Sequence, residues 1–107
     1  MKKASLGISS WSEDDRPRER LLLRGAHSPT DAELIAILLR IGVKGQSAVE
    51  LGRKILRRFG SLKTMMSAPL SAWDGIKGLG NAKKAQLLAA LELGRRASLS
   101  NIREKQL

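Results

Sequence analysis

The apolar positions of this chain fall into short helical blocks, and nowhere do they alternate with a period of two across β-branched residues, as a half-buried strand requires. The first clear block follows Glu13, Asp14 and Asp15. Pro17 suits a first helical turn, Leu21 to Leu23 supply apolar residues, and Gly25 closes the block, which predicts a helix over about 16–24. Thr30 then stands three residues before Glu33, the spacing of a capping box in which hydroxyl and carboxylate satisfy free N–H groups at a helix start. The helix it opens, over about 31–40, is apolar almost all round: Leu34, Ile35, Ala36, Ile37, Leu38 and Leu39 run on to Ile41. Such a helix is predicted to be buried on most sides, at the centre of the core.

Gly42-Val43-Lys44-Gly45 reads as a tight turn, and Ser47 with Glu50 repeats the capping-box spacing, opening a third helix to about Phe59 with Gly60 as its stop. Ser61 suits the cap of a short fourth helix through Ala68, Pro69 punctuates before Leu70, Trp73 and Ile76, and a last helix is predicted from near Asn81 to about Ser98. The class is all-α: a small bundle of five to six short helices. Residues 1–12, small and polar, read as a flexible segment, 13–98 as one helical domain, and 99–107 as a charged linker or tail toward something further.

At 107 residues one core can form without staples. The absence of cysteine excludes disulfides and cysteine-based zinc sites and fits a reducing compartment, hence a cytoplasmic expectation. No apolar run approaches the ~20 residues that span a bilayer, so a membrane is not an expected partner. Lys and Arg number 20 against 10 Asp and Glu, a net charge of +10 that favours a polyanion. Trp11, Phe59 and Trp73 are the only aromatics, too few for a surface that stacks successive unpaired bases.

The densest signal is Leu70-x-x-Trp73-x-x-Ile76-Lys77-Gly78-Leu79-Gly80-Asn81-Ala82-Lys83-Lys84-Ala85-x-Leu87-Leu88. It has the pattern of a helix-hairpin-helix: a hydrophobic residue, any residue, Gly, hydrophobic, Gly, then a helix with Ala and Leu on its inner face. Gly78 and Gly80 are expected to take positive φ and let the backbone approach a ligand, with Leu79 pointing inward to pin the loop and Ala85 packing. The turn leads straight into a helix, so the first-turn amides of Asn81 to Lys83 and the positive end of the dipole form an anion site. Lys77, Lys83 and Lys84 surround it, and Asn81 either caps the helix or bonds an oxygen. None of these groups reads a base edge, so the expected ligand is a phosphate backbone. No strand precedes the glycines, which removes a dinucleotide-binding reading.

Upstream, Leu38-Leu39-Arg40-Ile41-Gly42-Val43-Lys44-Gly45-Gln46-Ser47-Ala48 reads either as a degenerate first copy of the same hairpin or as a plain glycine-rich loop. As a copy, it makes the fold a pseudo-twofold double hairpin, with Lys44 and Gly45 as further contacts and two turns each holding a phosphate across a minor groove.

Three separated motifs resemble the N-terminal region of RadC-like proteins: Arg16-Pro17-Arg18-Glu19-Arg20-Leu21, Asp31-Ala32-Glu33-Leu34-Ile35-Ala36-Ile37-Leu38-Leu39-Arg40, and Ile76-Lys77-Gly78-Leu79-Gly80. The resemblance covers about 11–96 and implies a DNA-binding, repair-associated role. Members of that family carry a helix-hairpin-helix region followed by a JAB/MPN-type domain with a metal-binding His-x-His and a downstream Asp. His27 is the only histidine here, so the resemblance implies the N-terminal part alone and no hydrolase activity. No resident cofactor is expected, although similar hairpins in polymerases and ligases hold a monovalent cation on backbone carbonyls, which by position are those of Asp74, Ile76 and Leu79.

The remaining chemistry-bearing residues have ordinary readings. His27 lies in a loop beside Gly25, Ser28 and Pro29; Glu13 to Asp15 suit a helix start; Trp73 is a core residue and Trp11 packs the N-terminal segment. Arg53, Lys54, Arg57 and Arg58 are either a second basic face or a solvated one, the latter preferred. With no nucleophile–base pair, metal constellation or Walker-type loop, an enzyme is not expected. Two functions compete: a module that grips duplex or branched DNA, and a protein-interaction module that docks a partner or the C-terminal domain such proteins carry.

Overall fold

A computed structural model describes residues 16–106, with side chains through residue 100. The segment expected to be flexible over 1–12, Trp11 and the acidic run Glu13 to Asp15 lie outside the described residues. The described chain is all-helical: α1 (Arg16–Arg24), α2 (Asp31–Leu39), α3 (Ala48–Phe59), α4 (Leu62–Ser67), a 3-10 turn (Leu70–Trp73) and α5 (Asn81–Gln106). Its only extended pairing is an isolated bridge between Val43 and Gln46.

Three of the predicted starts have a local cause. Thr30 and Ser47 both form complete capping boxes with Glu33 and Glu50, and the Ser61 hydroxyl accepts from the Thr64 N–H. Gly60 caps the end of α3. α2 ends differently: Arg40 takes φ 74°, ψ −62°, and the Ile41 N–H donates to the Leu39 carbonyl at 2.9 Å. Those angles and that bond define a strained γ-turn, which reverses the chain within one residue.

α2 sits centrally, as its composition predicts, packing against α1, α3 and α5. Ile35, Leu39, Leu51, Ile55, Met65, Trp73, Ile76 and Leu87 form the core, with Leu79, Leu88 and Leu91 packed against it. The burial is less complete than expected: Leu38 is exposed on the helix, and Ile41, beyond its end, is exposed as well. α2 and α3 cross so closely that a Cβ on Gly52 would lie 2.5 Å from the Ala32 carbonyl oxygen. Arg20 of α1 pairs with Glu33 of α2, tying α1 to the cap of the central helix. The guanidinium holds the Glu33 carboxyl below the usual carboxylate range.

Three sequence expectations need correction. α5 does not stop near Ser98 but continues to Gln106, so residues 99–106 of the stretch read as a linker or tail are helical. Gly94 is not followed by a breaker, and Glu92 pairs with both Arg95 and Arg96 across that point. The first arm of the Gly78–Gly80 hairpin is a four-residue 3-10 turn rather than an α-helix. Ala85, expected to pack, is exposed: it lies about 200° around the helix from buried Leu87.

Candidate nucleic-acid interface

The turn at 42–46 is closed by two backbone bonds of 2.9 Å, Val43 N–H to the Gln46 carbonyl and Gln46 N–H to the Val43 carbonyl. Gly45 takes φ +83° at its tip, in open space. Gly42 has a different task, since a Cβ there would lie 2.1 Å from the Gln46 carbonyl oxygen and 2.6 Å from the Ala48 nitrogen. A side chain at Gly42 has no room, so α3 can begin immediately after the turn.

The turn at 75–80 follows the 3-10 segment. The Leu79 N–H donates to the Ile76 carbonyl at 3.1 Å, with Gly78 at φ +90° in the third position, where a turn of this kind requires the left-handed region. Leu79 packs against the core and pins the loop as its position predicts. Gly80 departs from expectation: its φ is not positive, and a Cβ on it would meet nothing within 4 Å. It precedes α5 and accepts the Lys84 N–H at 2.9 Å.

The two turns stand side by side. Val43, Lys44, Gly45, Gln46, Lys54, Lys77 and Gly78 line one shared groove of about 270 Å³. A Cβ on Gly78 would come within 3.3 Å of Leu51 Cδ1 and 3.5 Å of both Gln46 Oε1 and Val43 Cγ2, so the second turn rests on the first and on α3. Lys44 and Lys77 are exposed, and their ammonium groups make no hydrogen bond or ion pair among the described residues.

Four of the nine predicted contact residues therefore line the groove: Lys44, Gly45, Lys77 and Gly78. Leu79 supports from beneath, and Gly80 and Asn81 are exposed at the start of α5, Asn81 as its first helical residue. Lys83 and Lys84 are engaged elsewhere. The Lys83 ammonium donates to the Leu39 carbonyl at 3.4 Å, at the end of α2, and Lys84 pairs with Asp74 at 3.4 Å. A residue's spacing along α5 shows which face it occupies but not which acceptor stands opposite.

The sequence pattern also gave no sign of the work done by α3. Lys54 Nζ donates to the Lys77 carbonyl at 3.1 Å. One Arg58 nitrogen donates to the carbonyls of Ala72 at 3.2 Å and Asp74 at 3.0 Å. Of the carbonyls that resemblance assigns to a monovalent cation, Asp74's thus faces a guanidinium and Ile76's already accepts the Leu79 N–H. A fixed positive charge from α3 stands at the carbonyls of this turn and of the 3-10 segment before it. Chemically, the site offers turn backbone of two loops and two unpaired ammonium groups to an extended anion; no cluster of three or more His, Cys, Asp or Glu suited to a metal occurs among the described residues.

The sequence profile described as UPF0758 N-terminal matches residues 8–85. A UPF0758 protein of Chromobacterium violaceum is 52% identical over 98 residues, covering 92% of this chain and 44% of the relative. A UPF0758 protein of Janthinobacterium is 56% identical over 92 residues, 86% of this chain and 41% of the relative, and one of Thioalkalivibrio sulfidiphilus is 54% identical over 89 residues, 83% and 40%. The chain spans less than half the length of these curated relatives. No solved structure matches it.

Proposed function

The chain belongs to the UPF0758 family, the group to which the RadC-like resemblance points, and we propose that this domain is a non-enzymatic module that grips the phosphate backbone of DNA without reading its sequence. The observation that carries the reading is the groove shared by the Lys44-Gly45 and Lys77-Gly78 turns, open to solvent and flanked by two unpaired ammonium groups. Two loops side by side hold an extended polyanion at two points, as a double helix-hairpin-helix would, and the net charge of +10 draws it in. The partner is duplex or branched DNA met in the cytoplasm, and a repair role would belong to the longer protein of which such a domain forms the N-terminal part. Among the described residues no helix is long and apolar enough to cross a membrane.

Fluorescence anisotropy with labelled duplex, single-stranded and branched DNA over a range of salt tests this. The expected result is binding whose log affinity falls linearly with log salt, abolished in Lys44→Glu/Lys77→Glu with helicity unchanged. A folded charge-reversed variant that binds like the parent removes the groove from the mechanism.

A second reading has its own observation. Leu34, Ile35, Leu38, Leu62, Met65, Leu87 and Leu91 line an apolar groove of about 210 Å³ between α2, α4 and α5. A module that docks another protein, or the remainder of its own longer chain, would use such a surface, and this reading takes over if the DNA experiments give no salt-dependent binding.

A further inference from the structure

Gly45 and Gln46 border more than the groove between the turns. Those two residues also line a second cavity of about 440 Å³, completed by Glu50, Arg53 and Arg57 of α3. α3 carries its cations in two rows. Lys54 and Arg58, four residues apart, face the second turn and bond its carbonyls and those of the 3-10 turn before it. Arg53 and Arg57, also four apart and so one helical turn from each other, are exposed and make no hydrogen bond or ion pair among the described residues. The sequence alone favours a solvated face for all four; the structure divides them into a bonded row and an open one that borders a concavity sharing Gly45 and Gln46 with the groove.

We propose that Arg53 and Arg57 extend the DNA interface, so that the backbone held at Lys77-Gly78 and Lys44-Gly45 continues past Gln46 and along the outer row of α3. This rests on the DNA-binding reading above. Two unpaired guanidiniums one turn apart repel each other, and each presents a planar fork of donors matched to phosphate oxygens. The same cavity holds an opposing group. The Glu50 carboxylate, fixed by accepting the Ser47 N–H at 3.0 Å, puts a negative charge beside the track and weakens the hold on an anion.

The test uses the whole 107-residue chain and a short labelled duplex in anisotropy titrations across KCl concentrations. Arg53→Gln/Arg57→Gln is expected to lose about tenfold or more in affinity at low salt and to flatten the log–log salt slope by about two. Arg24→Gln/Lys63→Gln removes the same charge from exposed cations outside both cavities and leaves the slope unchanged. Glu50→Gln retains the capping box, because Gln serves there as well, and tightens binding by about two- to threefold.

Circular dichroism confirms that each variant is folded. If Arg53→Gln/Arg57→Gln matches the Arg24/Lys63 control while Lys44→Glu/Lys77→Glu still abolishes binding, the groove stands and the extension falls. An unchanged affinity in Glu50→Gln also counts against the extension, and a parent chain that binds no DNA overturns both. A poly-glutamate peptide that competes as well as DNA of equal charge would overturn the assignment of this face to nucleic acid.

Discussion

The two glycine-bearing turns that share one groove are held in place by different means. The turn at 42–46 is self-contained: it joins α2 directly to α3, closes with a reciprocal pair of backbone bonds, and owes its compactness to the lack of room at Gly42. The turn at 75–80 is dependent. It is entered from a 3-10 turn of four residues, and its shape relies on Lys54, Arg58, Leu51 and Gln46, all from outside its own motif. The turn with the clearer sequence signature is thus the less autonomous one. A motif records which residues a turn needs at its tip; it does not record what holds the turn from behind.

The largest expected effects break the self-contained turn and the crossing of the two helices it joins. Gly42→Ala and Gly52→Ala each force a methyl against backbone that cannot move without shifting α2 from α3. Each should cost about 3 kcal/mol, read as a lower urea midpoint with an unchanged m-value. A loss below about 1 kcal/mol at either position would mean that the helices part easily and the contrast is wrong.

The dependent turn gives the next test, because its two glycines should differ. Gly78→Ala places a side chain at φ +90° and 3.3 Å from Leu51, costing about 1–2 kcal/mol. Gly80→Ala should stay within about 0.5 kcal/mol of the parent, and a comparable loss at both would restore the symmetric hairpin expected from sequence. Arg58→Ala should cost about 1 kcal/mol and speed amide exchange at 75–80 more than at 42–46. Equal acceleration at both turns would deny that α3 supports one turn in particular.

The smallest effect is acidic and belongs to the start of α2, the helix that leads into the first turn. Glu33 has its carboxyl lowered chiefly by the Arg20 hydrogen bond, so its contribution is present in full above the ordinary value of 4.5 and is lost as pH falls through the lower folded value. Amide exchange at the start of α2 should therefore accelerate below about pH 4.5 and do so less in Arg20→Ala, where the shift is already gone. Identical acid profiles in parent and variant would disconnect the pair from the cap.

Much of the fold was legible because its signals are local. Thr30 with Glu33, Ser47 with Glu50, and Ser61 each name a helix start within four residues, and all three are found where the spacing puts them. Trp73 is buried as expected, and Leu79 packs inward. What escaped is non-local. Lys83 has the look of a groove lysine, yet the Leu39 carbonyl is 44 positions away along the chain, and nothing near residue 83 announces it. The division of α3 into bonded and open rows likewise depends on where the 3-10 turn arrives, not on the helix's own composition. The equivalence of Gly78 and Gly80 failed because φ at the second is set by the start of α5.

The bond from Lys54 to the Lys77 carbonyl spans from the middle of a helix that begins just beyond the first turn to the tip of the second. The gap between the tips is therefore dictated by a stiff rod, and on the proposed reading the domain works as a caliper with fixed jaws. A backbone strand whose curve does not follow the two jaws must bend to be held, and that deformation costs more in some sequences than in others. A protein that reads no bases would still sort nucleic acids by how readily they bend to its gauge.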